Sequence, residues 1–234
     1  MNYLITGGTG YIGSHTALSL IEAGHRVLVL DNLCNSSLES LRRVERISGV
    51  AIDFLQGDIR DRAGLDRVFV DHAIDAVIHF AGLKAVGESV DQPLAYYDNN
   101  VLGSVTLCQA MAAAGVFRLV FSSSATVYGE PAHMPIAETS PVGAPTNPYG
   151  RSKLMVEQIL QDMADDQEMR ALGLLRLTRA ELSARLKAMP IEARGTCPVN
   201  KRPWKLPEMN ADMMRYAILC AHRAGNCAGA ASPC

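Results

Sequence analysis

The 234-residue sequence predicts an α/β fold built on a doubly wound parallel sheet. Three observations predict it. Short, β-branched apolar runs alternate with longer helical patterns from residue 2 to about residue 170. The first run passes into a glycine-rich turn, Thr6-Gly7-Gly8-Thr9-Gly10-Tyr11-Ile12-Gly13, that opens a helix. The composition, 48% hydrophobic and 20% charged, is that of an ordinary globular chain long enough to bury a core without disulfide or metal staples.

The strands are expected at 3–5, 26–30, 51–55, 76–80 and 119–121. Tyr3-Leu4-Ile5, Arg26-Val27-Leu28-Val29-Leu30, Ala51-Ile52-Asp53-Phe54-Leu55, Ala76-Val77-Ile78-His79-Phe80 and Leu119-Val120-Phe121 all have the short, continuous apolar character of strands buried on both faces. Helices are expected near 11–23, 37–48, 61–72, 93–114 and 148–165, each long enough for a right-handed crossover. The stretch from Glu130 to Pro148 holds five prolines and reads as a long surface loop, the kind that in a compact domain carries function.

Charge divides the chain. Residues 1–170 carry 12 Lys and Arg against 20 Asp and Glu, whereas residues 171–234 carry 10 against 4. The latter stretch holds only 11 Leu, Ile, Val or Phe, too few for a core of its own. The expected organisation is a domain over 1–176 and an irregular or partly helical basic tail over 177–234. In the tail Thr178-Arg179-Ala180-Glu181 is a possible capping box, with Leu182 and Leu186 four apart behind it. Cys220, His222, Cys227 and Cys234 miss the short spacings of zinc sites, so no metal is expected and the thiols read as reduced. No apolar run approaches the ~20 residues needed to span a bilayer. Met1-Asn2-Tyr3 runs into the first strand without the basic flank of a signal peptide, and the expectation is a cytoplasmic chain with no membrane or nucleic-acid partner.

The glycine turn has a specific chemistry. Gly7 permits the tight turn, Gly10 lets backbone approach a pyrophosphate, and Gly13 allows close packing behind the helix, whose N-terminus faces the anion. A strand before and a helix after make this a Rossmann-like dinucleotide site. Asp31 ends the second strand, where a carboxylate accepts from the adenosine ribose and repels a 2′-phosphate; with Asn32 rather than arginine next, NAD is expected over NADP. Asp58 either meets the adenine amino group or caps the next helix, and the sequence does not separate the two.

Tyr149 and Lys153 stand four apart on a helix that Asn147 can cap and Pro148 can open, which puts both on one face. A phenol with pKa ~10 needs a shift of about three units, worth ~4 kcal/mol, to act as a base near neutrality. A neighbouring ammonium has the sign to supply it. Ser122-Ser123-Ser124 follow the fifth strand at the sheet edge where ligands bind. Together they compose a serine, tyrosine and lysine site for oxidising an alcohol.

These residues resemble the extended short-chain dehydrogenase/reductase family, and within it the UDP-hexose 4-epimerases. The resemblance covers residues 1 to about 176. It is carried by Thr6–Gly13, Asp31–Ser36, Gly57–Arg60, His79–Ser89, Tyr96–Asn100, Phe121–Tyr128 and Asn147–Lys153. It implies a hydride relay at carbon 4 of UDP-glucose or UDP-galactose through a 4-keto sugar, with Ser124, Tyr149 and Lys153 catalytic. It further implies that Gly7, Gly10, Tyr11, Ile12, Gly13, Asp31, Asn32, Asn35, Ser36, Asp58, Ile59, Phe80, Ala81, Gly82, Lys84, Asn99, Tyr149 and Lys153 hold NAD. Lys84, Ser124 and Tyr149 would touch the substrate. For Lys84 and Asn99 the residues alone support only a solvated loop and a helix cap. Intact members are expected to form homodimers through helices corresponding to 93–114 and 148–165.

The resemblance stops after Leu175-Arg176. The family continues there with an aromatic pair, Asn and Pro that open the substrate lobe, and here Leu177-Thr178-Arg179-Ala180 follow. The expectation is a chain lacking that lobe through a shifted frame or truncation, weakly active or inactive. Two other readings stand beside it: a non-catalytic NAD-binding fragment, and a nucleotide-sugar 4,6-dehydratase. The second is disfavoured because Ala125 and Thr126 occupy the positions of the dehydratases' Asp-Glu pair.

Overall fold

Along β1 (Asn2–Thr6) and β2 (Arg26–Asp31) apolar side chains stand at every position of the middle, so alternate residues feed opposite faces of one sheet. The computed structural model describes residues 1–131, 134–137 and 140–165 of the chain. The tail from 177, its capping box, its four cysteines and the boundary at 176 lie outside the described residues.

Five parallel strands run in the order β3-β2-β1-β4-β5, with β3 at Asp53–Gln56, β4 at Ala76–His79 and β5 at Leu119–Phe121. Leu4, Leu28, Leu30 and Val77 pack on one face against α3 (Arg62–Asp71) and α6 (Gly103–Ala113) through Leu65, Val68, Phe69, Leu107 and Met111. Ile5, Val27, Val29 and Ile78 pack on the other face with Ala17 of α1 (Tyr11–Glu22) and Leu41 of α2 (Glu39–Ser48). Helices therefore cover both faces, as expected for a doubly wound sheet. The chain leaves β1 toward β2 and later returns to β1's other side as β4, which makes the crevice beyond β1 and β4 the topological switch point where such sheets bind ligands.

Three expectations need correction. The single helix over 93–114 is broken into α5 (Pro93–Tyr96), a π-helical turn (Tyr97–Leu102) and α6. The regular ladder gives way where Ser104 Oγ donates to the Asn100 carbonyl at 2.6 Å and the Asn100 side chain reaches out to Leu83 and Ser152. A short α4 (Val86–Asp91) precedes it, in a stretch read only as a motif. The third strand begins at Asp53 rather than Ala51, because the Ile52 amide donates to the Glu45 carboxylate at 2.9 Å instead of joining the ladder. The last described helix, α7 (Pro148–Asp165), starts as expected: Asn147 Oδ1 accepts from the Gly150 amide at 2.8 Å.

Candidate active site

A cleft of about 250 Å³ opens at the switch point, bounded by the loops after β1, β2, β3, β4 and β5 and by the start of α7. Its floor is the glycine turn. Gly7 has φ +70°, and a β-carbon there would lie 2.5 Å from the Ala81 nitrogen, so the turn and the loop after β4 touch backbone to backbone. A β-carbon on Gly13 would lie 2.5 Å from the Gly7 oxygen, which seats α1 directly on the turn. At Gly10 the nearest protein atom is the Gly7 oxygen at 3.2 Å, and no side chain caps α1 there. The first turn of α1 faces the cleft through Tyr11 and Ile12, exposed by 73% and 44%.

The buried carboxylate of Asp31 joins this turn to the next loop. Oδ2 accepts from the Thr9 amide at 3.1 Å, and Oδ1 accepts from the Leu33 amide at 2.9 Å and from Ser36 Oγ at 3.0 Å. Asp58 lies one step back from the cleft. It accepts from the backbone and guanidinium of Arg60, at 2.8 to 2.9 Å, and from Asn32 Nδ2 at 3.0 Å. Those bonds from Arg60 hold its carboxyl well below the usual carboxylate range. It does not cap α3, because Asp61 does, accepting from the Gly64 amide at 3.0 Å.

The other wall carries Tyr149 and Lys153 on one face of α7. Lys153 is buried, donates to the Ser122 carbonyl at 3.0 Å and stands 4.7 Å over the Phe121 ring. The Tyr149 ring meets the edge of Tyr96, 6.4 Å between centroids. Tyr96 is fully buried, and its hydroxyl approaches the Ala85 carbonyl and the Glu88 carboxylate at 2.7 and 2.8 Å. Burial and Glu88 push that phenol up to about 12. The site thus has one tyrosine held protonated by its surroundings and another beside a buried ammonium.

A family model described as the NAD dependent epimerase/dehydratase family matches residues 3–181. The chain belongs to that family. It is 62% identical over 162 residues to the UDP-glucose 4-epimerase of Neisseria meningitidis serogroup A, covering 69% of this chain and 48% of that protein. Among solved structures it is similar to the UDP-glucose 4-epimerase of Bifidobacterium longum in complex with NAD+ and UDP, with TM-score 0.68 and 51% identity over 70% of this chain and 49% of that one. The enzyme of Stenotrophomonas maltophila, with bound NAD and formylated UDP-arabinopyranose, gives TM-score 0.68 and 55% identity over 70% and 48%. The chain spans about half the length of the curated relatives it matches.

Most of the family's implied residues converge on the cleft. Gly7, Gly10, Tyr11, Ile12, Gly13, Asp31, Asn32, Asn35, Ile59, Phe80, Ala81, Gly82, Lys84, Asn99, Tyr149 and Lys153 all line it. Ser36 and Asp58 stand behind it, acting on Asp31 and Asn32. Ser124 caps the 3-10 turn Ala125–Tyr128, its Oγ accepting from the Thr126 amide and hydroxyl at 3.3 and 3.0 Å, while Ser122 and Ser123 face the cleft. Reasoning from the epimerase/dehydratase motifs missed Asn100, which is buried and locks the site's shape. Its Oδ1 accepts from the Leu83 amide at 2.8 Å, and its Nδ2 donates to the Leu83 carbonyl at 3.0 Å and to Ser152 Oγ at 3.1 Å. The only signal was its place in the Tyr96–Asn100 motif, because the π-helical turn that aims it inward leaves no trace in apolar periodicity.

Proposed function

We propose that this chain carries the cofactor-binding and hydride-transfer half of a UDP-hexose 4-epimerase that interconverts UDP-glucose and UDP-galactose. The observation that supports it is the convergence on one cleft of the glycine turn, Asp31 and the Tyr149–Lys153 pair. The cleft fits NAD. The uncapped first turn of α1 offers backbone N–H groups to a pyrophosphate, and the space over Gly10 lets the phosphates approach. Asp31 uses three of about four acceptor positions on protein groups, and the remaining one takes a ribose hydroxyl. Gly7, Gly10, Tyr11, Ile12 and Gly13 hold the phosphates. Asp31, Asn32, Asn35 and Ser36, with Asp58 and Ile59, hold the adenosine. Phe80, Ala81, Gly82, Lys84, Asn99, Tyr149 and Lys153 hold the nicotinamide half.

Tyr149 takes the proton of the 4-hydroxyl as a phenolate, and Lys153 supplies the positive charge that favours that form. Burial of Lys153 keeps its field from being screened by water. Ser124, whose Oγ accepts from Thr126 behind the Ser122 and Ser123 wall, is given the reacting oxygen by the family motif alone, and Lys84 meets the substrate at the mouth. NAD held by these residues would supply a reversible hydride acceptor for carbon 4, the chemistry that inversion through a 4-keto sugar requires. Residues 1–176 form the NAD-binding unit and residues 177–234 a separate basic tail. Leu94, Leu102 and Met155, exposed by 80, 52 and 41%, support a homodimer through the α5–α6 region and α7. Among the described residues no helix is long and apolar enough to cross a membrane.

A second reading, a cofactor-binding module without turnover, rests on Leu177-Thr178-Arg179-Ala180 standing where the family motif has an aromatic pair, Asn and Pro. One pair of measurements on the purified 234-residue chain separates the two: calorimetry with NAD, and conversion of UDP-galactose to UDP-glucose. Binding with turnover supports the epimerase. Binding without turnover supports the module, and no binding overturns both.

A further inference from the structure

His79 is fully buried at the end of β4, just beneath the cleft, and nothing in the hydride-transfer scheme uses it. Its Nδ1 lies 2.7 Å from Thr6 Oγ1 of β1, and its Nε2 lies 2.8 Å from Ser104 Oγ of α6. The bonds that Ser104 and Ser152 make beyond this point determine where every proton sits. A carbonyl only accepts, so the single hydroxyl proton of Ser104 is committed to the Asn100 carbonyl at 2.6 Å. Ser104 Oγ must then accept from His79, which places a proton on Nε2. Around a neutral imidazole, Nδ1 is consequently the acceptor and Thr6 the donor. Farther along, Asn100 Nδ2 donates to Ser152 Oγ at 3.1 Å, and the Ser152 proton goes to the Tyr149 carbonyl at 2.7 Å.

We infer that His79 is a positioning residue: as the neutral Nε2–H tautomer it accepts from Thr6 and donates to Ser104, closing one end of a buried polar network that continues through the Asn100 backbone carbonyl and, by the separate bonds of the Asn100 side chain, to Ser152 and the Tyr149 carbonyl. The network ties the strand that feeds the glycine turn to the backbone of the candidate base, and passes through the π-helical turn that aims Asn99 and Asn100. A second proton on His79 would turn Nδ1 into a donor toward Thr6 Oγ1 and take away the acceptor that the Thr6 hydroxyl proton has in the neutral form. Burial opposes a second positive charge, and the Lys153 ammonium acts in the same direction; the Phe121 ring lies 5.6 Å away between centroids.

The functional half of this inference rests on the NAD reading; the tautomer does not. The test uses the full chain, labelled with ¹⁵N histidine, and follows imidazole resonances from pH 5 to 8. The expected result is one ring, absent from His79→Gln, that keeps its proton on Nε2 and does not titrate. A proton on Nδ1, or titration in that range, overturns the inference. Calorimetry with NAD is the second readout. His79→Phe is expected to weaken binding about tenfold by leaving Thr6 and Ser104 unmatched. His79→Gln, which keeps a donor for Ser104, is expected to recover most of that loss. Phe binding like the parent, or Gln failing like Phe with an unchanged unfolding temperature, overturns the positioning role. If the parent chain binds no NAD while the ring shows the Nε2–H form, the NAD reading falls and the polar network stands.

Discussion

Lys153 Nζ donates to the Ser122 carbonyl oxygen at 3.0 Å, pinning the first turns of α7 to the end of β5 and leaving an ammonium almost without water on the cleft wall it shares with Tyr149. In the proposed function that fixed charge has the sign that favours a phenolate over a phenol. Lys153→Met is expected to change stability by no more than about 2 kcal/mol, because the lost charged hydrogen bond is offset by relief of a desolvated charge. In any longer chain that turns over, the same change moves the pH–rate profile upward, since the cation favouring phenolate is gone. Tyr149→Phe abolishes turnover there while NAD stays bound. Urea unfolding, a pH series and calorimetry check the three outcomes.

The three glycines of the turn divide by what a β-carbon would meet. Gly7→Ala and Gly13→Ala each put that atom 2.5 Å from backbone that cannot yield, and Gly7 adds a positive φ. Each is expected to destabilise the fold by about 1–3 kcal/mol. Gly10→Ala meets only the Gly7 oxygen at 3.2 Å and should cost the fold less than either, yet weaken NAD binding by obstructing the pyrophosphate. Thermal unfolding run beside calorimetry shows whether the two effects separate in this way.

Asp31 ties two loops of the fold together, and in the proposed function it also takes the cofactor's ribose. Asp31→Ala leaves the Thr9 and Leu33 amides and the Ser36 hydroxyl short of an acceptor, and about 1–3 kcal/mol of stability should go with it. The parent chain is expected to prefer NAD over NADP, because a 2′-phosphate would face this carboxylate. Calorimetry with both cofactors decides it, and equal affinities would show that Asp31 does not face the ribose.

Burial pulls His79 down to about 3, with the Lys153 ammonium acting in the same direction. Between that value and the ordinary ~6.5 the unfolded chain binds the proton and the folded chain does not. Stability from this ring is therefore complete above about pH 6.5 and falls as pH drops, at about 1.4 kcal/mol per pH unit where the two states differ by a full proton. His79→Phe removes that component, so the difference in unfolding free energy between parent and variant should shrink from pH 7 to pH 4. A constant difference would mean that His79 titrates normally.

Much of the site was legible because its parts are local. The glycine turn and its flanking strand and helix lie within about twenty residues, and Tyr149 and Lys153 share one helical face by spacing alone. Strands were readable for the same reason: both faces of the sheet are covered, so each strand is a continuous apolar run. The sequence alone thus determined the parallel sheet, the dinucleotide turn, Asp31 at the second strand end and the pair on α7. Only the tertiary structure decided that the helix over 93–114 breaks into a π-helical turn, that Asp58 faces Arg60 and leaves capping to Asp61, that Ser124 caps a turn while Ser122 and Ser123 face the cleft, and that His79 and Asn100 link β1 to Tyr149. Each of these depends on a polar side chain finding its partner, often 20 to 70 residues away in sequence. Apolar periodicity records which residues avoid water, but not which donor a buried acceptor meets once the chain has folded.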